Sequence, residues 1–165
     1  MHYSDEVSRR SFIKRGSAAA GSLLAPIALR SGRAADPPAE RINVGILGMG
    51  SRGNYHRRTL QRMSDVQIRA VCDANGKKAN AARDKVNKAY AKQSGQGSYS
   101  DCRAYRDFRK VLDRRDIDAV FVAAPENWHA LLAASAARAG KDVYCEKALT
   151  LTVEEGRRLI DVIRT

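Results

Sequence analysis

Short apolar runs alternate along the chain with longer stretches in which apolar residues recur every three or four positions. The apolar runs have the length and composition of strands buried in a parallel sheet. The runs that predict strands cover residues 42–47, 66–73, 117–124 and 142–145, with a very short further strand at Tyr99 and its neighbours. The stretches with helical spacing cover residues 51–63, 75–92, 105–112, 128–139 and 153–163. This alternation predicts an α/β fold with a doubly wound parallel sheet.

A glycine-rich turn follows the first predicted strand at residues 48–53 and reads Gly-Met-Gly-Ser-Arg-Gly. Gly48 permits a tight turn, Gly50 removes the side chain where a pyrophosphate approaches the backbone, and Gly53 lets the next helix pack against the sheet. The turn also directs helix N–H groups at an anion. The pattern predicts a dinucleotide-binding loop, and a glycine turn of another kind of α/β protein is the alternative.

An acid ends the second predicted strand, because Asp73 lies 20 residues after Gly53. A carboxylate at this position accepts hydrogen bonds from an adenosine ribose and repels a 2′-phosphate, so it favours NAD over NADP. Lys77, Lys78 and Arg52 are close enough in sequence to weaken that preference. A strand-end or helix-capping role is the alternative for Asp73.

Two further polar segments follow the later strands, at residues 125–129 and 146–148. Ligands of doubly wound sheets bind outside the carboxyl ends of the strands, so both segments are expected at the same cleft as the glycine turn. Lys147 can hydrogen-bond a substrate hydroxyl or act as acid and base, and a solvated ion pair with Glu146 is the alternative. His129 either points into the cleft or packs as a core or capping residue. Trp128 is expected in the wall of the cleft or in the core.

The first 35 residues have the pattern of an export signal. Residues 8–14 read Ser-Arg-Arg-Ser-Phe-Ile-Lys, and a mildly apolar stretch and small residues at 32–35 follow. The apolar stretch is too short and too rich in Gly, Ser and Ala for a membrane span. The pattern resembles the signals read by the twin-arginine (Tat) translocase, which implies export of the folded protein to the periplasm. We expect cleavage after Ala34 or Ala35, with an uncleaved anchor as the alternative, then a polar spacer at 36–40 and one domain at 41–165.

The net charge of +12 raises the question of nucleic-acid binding. The basic residues are scattered over helical stretches and mixed with acids, which is typical of solvated helix faces, so no nucleic-acid partner is expected. The three cysteines, Cys72, Cys102 and Cys145, have no metal-ligand spacing. We therefore expect no metal site and no disulfide framework. A contact between Cys72 and Cys145 stays open, because both end strands at the same sheet edge.

Three segments together resemble the N-terminal half of the Gfo/Idh/MocA family of NAD(P)-dependent oxidoreductases. They are the glycine turn, residues 124–130 (Ala-Pro-Glu-Asn-Trp-His-Ala) and residues 140–147 (Gly-Lys-Asp-Val-Tyr-Cys-Glu-Lys), and the resemblance runs from about Arg41 to the last residue. It implies a Rossmann domain that binds NAD, or NADP, with Lys147 as the catalytic residue. The residues expected at the dinucleotide are Gly48, Met49, Gly50, Ser51, Arg52, Gly53, Asp73, Pro125, Asn127, His129, Glu146 and Lys147.

The sequence departs from the family's pattern at three points. Ala148 stands in place of the proline of a Glu-Lys-Pro motif, so the backbone at Lys147 is expected to lose a φ constraint and an unusual peptide geometry. Asn127 stands where the family commonly has histidine or another polar residue. The family's C-terminal substrate domain, which also drives oligomerisation, is expected to be absent, because the chain ends at Thr165.

Three functions are compatible with these features. The first is an exported oxidoreductase that passes hydride between NAD and a sugar, inositol or related polyol, represented here by its cofactor domain. The second is a glycoside hydrolase of the same superfamily, which keeps NAD bound and cleaves the glycosidic bond through transient oxidation. The third is a catalytically inert fragment that binds a dinucleotide or supports a homo-oligomer.

Overall fold

A parallel sheet of five strands forms the centre of the computed structural model, which describes residues 41–95 and 97–164. The strands are β1 (Ile42–Leu47), β2 (Val66–Cys72), β3 (Arg103–Tyr105), β4 (Ala119–Val122) and β5 (Asp142–Cys145). They lie in the order β3-β2-β1-β4-β5, so the sheet extends from β1 in both directions. The signal and the spacer predicted over residues 1–40 lie outside the described residues.

Helices connect the strands and cover both faces of the sheet. They are α1 (Ser51–Leu60), α2 (Gly76–Ser94), α3 (Arg109–Leu112), α4 (His129–Arg138) and α5 (Val153–Arg164), and a 3-10 turn at Glu126–Trp128 precedes α4. Within the described residues, no helix is long and apolar enough to cross a bilayer.

Two clusters of buried side chains pack on opposite faces of the sheet, because successive residues of a strand point to opposite sides. Ile46 of β1 belongs to one cluster with Leu60 of α1 and Val86 of α2. Leu47, the next residue, belongs to the other cluster with Leu132 of α4. The layout confirms the predicted α/β class and the doubly wound parallel sheet.

The third strand lies at Arg103–Tyr105 and not at Tyr99, which corrects the prediction. Asn87 of α2 binds both backbone polar groups of Cys102, since its Oδ1 accepts from the Cys102 N–H at 3.2 Å and its Nδ2 donates to the Cys102 carbonyl at 3.3 Å. This contact brings the residues after Cys102 beside β2. Tyr99 packs its ring edge-on against Tyr90, with 5.1 Å between the ring centroids.

The helix predicted over residues 105–112 is also shorter than expected, since only Arg109–Leu112 is α-helical. Tyr105 pairs with Cys72 in the sheet. The Asp107 carboxylate then accepts from the Arg109 N–H at 3.0 Å. An aspartate in this position satisfies an N–H group that has no partner within the helix, so the helix begins after it.

The remaining elements follow the sequence pattern, with small differences at their ends. The first helix ends at Leu60 and not at residue 63, and β4 covers only the middle of the run at 117–124. The stretch at 128–139 divides into the 3-10 turn and α4. Gly95 and Gly140, which follow α2 and α4, have φ angles of 67° and 69°, the left-handed conformation in which helices commonly end.

Candidate functional site

A cavity of about 870 Å³ opens at the carboxyl ends of the strands. This is the edge at which doubly wound sheets bind their ligands. The predicted site residues that line it are Gly48, Gly50, Ser51, Arg52, Asp73, Pro125, His129, Glu146 and Lys147. The lining does not include Met49, Gly53 or Asn127.

The three glycines of the turn have three different surroundings. Gly48 has a φ of 97°, and a Cβ there would lie 2.6 Å from the carbonyl of Ala123. A Cβ on Gly53 would lie 1.8 Å from the carbonyl oxygen of Gly48, so only glycine lets α1 approach the turn this closely. A Cβ on Gly50 would have no neighbour within 4 Å, so Gly50 presents bare backbone to the cavity.

The first turn of α1 has the features of an anion site. Gly50 is the N-cap residue, no side chain caps the helix, and no acid lies in its first turn. The leading N–H groups of a helix have no partner inside the helix, and its dipole adds partial positive charge there. The bare backbone of Gly50 and the adjacent cavity therefore fit a pyrophosphate.

Asp73 has the strand-end role that the sequence left open, and it also lines the cavity. Its Oδ2 accepts from the Met49 N–H at 2.8 Å and its Oδ1 accepts from the Asn75 N–H at 2.8 Å, so it orders the glycine turn. Each carboxylate oxygen can accept a second hydrogen bond. Since Asp73 also lines the cavity, this remaining capacity is available to a ribose diol. The Met49 side chain is buried in the core, and its backbone N–H is its contribution to the site.

Glu146 is a buried carboxylate held by two residues of α1. His56 Nε2 lies 2.7 Å from Glu146 Oε1, and Arg52 Nε lies 3.3 Å from the same oxygen. The hydrogen bond from His56, with the charge of Arg52 beside it, holds the pKa of the Glu146 carboxyl below its ordinary value. The end of β5 is therefore linked to the helix that begins in the glycine turn.

Lys147 follows this buried carboxylate and is itself exposed at the cavity. Its backbone N–H donates to Glu146 Oε2 at 3.3 Å. Within the described residues, no carboxylate oxygen lies within 4.0 Å of the Lys147 ammonium, so the ion pair with Glu146 that the sequence left open does not form. The Lys147–Ala148 peptide bond is cis, which corrects the expectation that the unusual geometry is lost with the proline.

His129 is buried between two loops of the site. Its Nδ1 lies 2.6 Å from the carbonyl oxygen of Ala148, and its Nε2 lies 2.9 Å from that of Ala124. The ring therefore joins the loop after β5 to the loop after β4, which is a packing role, while its edge lines the cavity. Asn127 is exposed outside the lining, and Trp128, 45% exposed, forms part of the wall.

The sequence did not identify two groups of site residues. Arg106 and Arg109 line the cavity from the segment after β3. A helix was predicted over this segment, because the third strand was placed too early in the sequence. A third strand that ends at Tyr105 places Arg106 and Arg109 at the carboxyl edge of the sheet. His56 was also missed as the partner of Glu146, although it lies four residues after Arg52 and so on the same face of α1.

Comparison with known proteins places this arrangement in a family. The Gfo/Idh/MocA family model, described as "Oxidoreductase family, NAD-binding Rossmann fold", matches residues 42–165. The chain belongs to the Gfo/Idh/MocA family. Residues 42–165 are therefore its NAD-binding Rossmann domain, and the cofactor is NAD or NADP.

Curated relatives from the genus Shewanella align with nearly the whole chain. A "Glycosyl hydrolase family 109 protein" of Shewanella pealeana is 30% identical over 94% of this chain and 37% of its own length. An "Alpha-N-acetylgalactosaminidase" of Shewanella oneidensis is 30% identical over 94% of this chain and 36% of its own length. The chain thus spans little more than a third of the length of these relatives.

Solved structures of similar fold include dehydrogenases and a ketoreductase. The myo-inositol 2-dehydrogenase of Lactobacillus plantarum has 26% identity and a TM-score of 0.63 over 75% of this chain and 33% of its own. The 3-ketoreductase KijD10 of Actinomadura kijaniata, solved with NADP, has 25% identity and a TM-score of 0.62 over 75% of this chain and 36% of its own.

Proposed function

We propose that this chain is the cofactor domain of an exported enzyme that transfers hydride between NAD(P) and a ring or chain carbinol of a sugar, inositol or related polyol. The proposal rests mainly on the position of Lys147. Its ammonium is exposed at the cavity that the glycine turn also lines, and it has no ion-pair partner among the described residues. The myo-inositol 2-dehydrogenase and the 3-ketoreductase among the similar solved structures support the substrate class.

The residues around the cavity have distinct roles in this proposal. The backbone at Gly50 and the first turn of α1 hold the pyrophosphate, and Asp73 accepts hydrogen bonds from the adenosine ribose. When bound, the nicotinamide of NAD(P) supplies a hydride acceptor or donor. The Lys147 ammonium would donate a hydrogen bond to the substrate hydroxyl oxygen and stabilise the negative charge that develops there as the hydroxyl proton leaves to solvent. Glu146, fixed to α1 by His56, orients the backbone that carries Lys147.

A glycoside hydrolase is the second candidate, and the names of the curated relatives favour it. In such an enzyme, the same hydride step would be transient, with the hydride returned to the sugar after the glycosidic bond has broken. Turnover by a full-length version of the protein separates the two. An oxidoreductase releases one NADH for each substrate oxidised, followed as absorbance at 340 nm, whereas the hydrolase releases sugar and no net NADH.

Export through the Tat translocase to the periplasm is part of the proposal and rests on the arginine pair at Arg9 and Arg10. We expect Arg9→Lys with Arg10→Lys to keep the protein in the cytoplasm and Lys14→Arg to leave export unchanged. Mass spectrometry of the exported protein tests the cleavage site, and an intact N-terminus would contradict cleavage after Ala34 or Ala35. We also propose that the protein forms a homo-oligomer, which a molar mass from light scattering would test.

Calorimetric titration of the chain with NAD tests the cofactor role. We expect Asp73→Ala to weaken NAD at least about tenfold, because hydrogen bonds from ribose hydroxyls to a carboxylate contribute about 1.5–3 kcal/mol each. Asp84→Ala is the matched control, since Asp84 lies on the outer face of α2, 65% exposed, with Arg83 as its partner. Thermal melts of all three proteins establish that they are folded. If the folded wild type binds neither NAD nor NADP at millimolar concentration, the proposal fails.

A further inference from the structure

Trp128 is an exposed aromatic residue in the wall of the cavity. Three aromatic side chains of the described residues are about half exposed, namely Tyr55, Trp128 and Tyr144. Tyr55 packs edge-on against the His56 ring, and Tyr144 stacks on Phe121 with 5.0 Å between the ring centroids. Within the same part of the chain, no aromatic ring or guanidinium stacks on the indole of Trp128. Of these three rings, that of Trp128 is therefore the one without a ring partner.

The loop that carries Trp128 is held firmly at its backbone. The Trp128 N–H donates to the Pro125 carbonyl at 2.9 Å and closes the 3-10 turn that precedes α4. The next residue, His129, is 1% exposed. Its ring contacts the carbonyl oxygens of Ala124 and Ala148, one on each side. Since a tryptophan side chain has only two rotatable bonds beyond this fixed backbone, a ligand that packs on the indole orders little additional structure.

The contact of His129 also places Trp128 beside Lys147. His129 follows Trp128 directly, and its Nδ1 lies 2.6 Å from the carbonyl oxygen of Ala148, the residue after Lys147. The two segments follow β4 and β5, which are neighbouring parallel strands. Trp128 and Lys147 are both exposed, and both line the cavity. An apolar ring and an ammonium therefore share one part of the cavity wall.

We propose that Trp128 is a platform for a ring-shaped sugar or cyclitol, so that the site favours cyclic substrates over open-chain polyols. The proposal rests on the proposed function, which places the substrate hydroxyl at Lys147. A pyranose or inositol ring carries C–H groups on one face and hydroxyls around its edge. The C–H face packs on the electron-rich face of the indole, while an edge hydroxyl accepts from the Lys147 ammonium. An open-chain polyol has no rigid face and loses more conformational freedom when it binds.

Saturation-transfer-difference NMR of the chain with NAD tests this platform, because the method detects ligands of millimolar affinity. The probes are methyl β-D-galactopyranoside, myo-inositol and sorbitol. We expect both cyclic probes to receive saturation, most strongly at the C–H protons of one ring face. Sorbitol should bind at least about tenfold more weakly than either cyclic probe.

Substitutions of Trp128 separate the platform from the cofactor site. Trp128→Ala should weaken both cyclic probes at least about tenfold and change the affinity for NAD by less than about twofold. Trp128→Phe keeps an aromatic face and should recover part of the lost affinity. Leu131→Ala is the matched control, because Leu131 is 52% exposed, lies three residues further along the chain and is outside the cavity lining. It should change neither affinity, and thermal melts establish that each variant is folded.

The fluorescence of Trp128 provides a second readout, because this residue is the chain's single tryptophan. Each cyclic probe should shield the indole from quenching by iodide, and sorbitol should not. Equal weakening of NAD and of the cyclic probes by Trp128→Ala would overturn the platform, since the indole would then contact the cofactor. Sorbitol binding as tight as that of the cyclic probes, or a chain that binds NAD and no cyclic probe, would also overturn it and leave the cofactor role standing. If the folded chain binds neither NAD nor NADP, both proposals fail.

Discussion

The contact between Gly53 and Gly48 offers a sharp test of the glycine turn. Gly53→Ala would place a Cβ 1.8 Å from the Gly48 carbonyl oxygen and 2.9 Å from its carbonyl carbon. Such contacts are essentially never shorter than 3.0 Å, so α1 and the turn must separate by more than 1 Å. The Gly48 carbonyl oxygen and carbon are both backbone atoms, so neither can rotate away from the new Cβ as a flexible side chain can. The substitution therefore has to move the loop that faces the cavity.

The expected size of the effect follows from two opposing contributions. Overpacking costs about 1–3 kcal/mol, and a clash between backbone atoms belongs at the upper end. Replacing glycine by alanine inside a helix gains about 1 kcal/mol. We therefore expect Gly53→Ala to lower the free energy of unfolding by about 2 kcal/mol. NAD should weaken at least about tenfold, because displacing one N–H from a phosphate oxygen removes a charge-assisted hydrogen bond of about 1.5–3 kcal/mol.

Gly156→Ala in α5 is the matched control. Its added Cβ would meet only the Thr150 Oγ1 at 3.6 Å, an ordinary contact. No clash opposes the gain in stability from replacing glycine by alanine in this helix, so this variant should be more stable than the wild type by about 0.5–1 kcal/mol. Urea denaturation, with linear extrapolation, measures both variants. A Gly53→Ala protein as stable as Gly156→Ala, with unchanged NAD affinity, would refute the close packing of α1 on the turn.

Three further predictions concern buried polar groups. Because its hydrogen-bonded histidine partner lowers the pKa of Glu146 from the ordinary value of 4.5, this carboxyl stabilises the fold above that pH and loses the effect as the pH falls through its folded pKa. The stability difference between wild type and Glu146→Gln should therefore be largest at neutral pH and shrink below pH 4.5, as thermal melts would show. Tyr90→Phe should cost about 1–3 kcal/mol in urea denaturation, because the Tyr90 hydroxyl accepts from the buried Ile68 N–H at 3.0 Å. Burial raises the pKa of the thiols of Cys72 and Cys102 to about 12 each, so a disulfide reagent at pH 8 should label both at least about a hundredfold more slowly in the folded chain than in urea.

Each of these predictions has an outcome that contradicts it. A difference between wild type and Glu146→Gln that stays constant from pH 7 to pH 3 would mean that the folded carboxyl titrates as an exposed one does. Unchanged stability of Tyr90→Phe would mean that the Ile68 N–H has another partner. Labelling of Cys72 and Cys102 at the unfolded rate would mean that the ends of β2 and β3 open readily to solvent.

Much of the fold follows from local patterns in the sequence. The run at 42–47 is apolar and ends in Gly48, so both the strand and the turn are determined by residues next to one another. The strand at Asp142–Cys145 lies between Gly140 and a charged pair and has the predicted bounds. Such elements are predictable because composition and chain-breaking residues agree.

The third strand and the cations that follow it were not predictable in this way. Arg103–Tyr105 forms only three pairs with β2, and its position depends on Asn87, which lies 15 residues from Cys102 in sequence. Tyrosine is a residue type that is enriched in strands, but the Tyr99 ring packs against Tyr90 of α2. Because the third strand was predicted at Tyr99, Arg106 was not predicted to line the cavity. The partnership of His56 with Glu146 spans 90 residues and has no local signal at all.

We propose that the bare backbone at the start of α1 binds the phosphates of a dinucleotide. Amide chemical shifts of the isotopically labelled chain, followed during titration with NAD, test it most directly. The amides of Gly50, Ser51 and Arg52 should show the largest shifts, with a smaller response at Asp73, while those of Val153–Arg164 in α5 stay in place. Saturable binding whose largest shifts fall outside the glycine turn would contradict the claim.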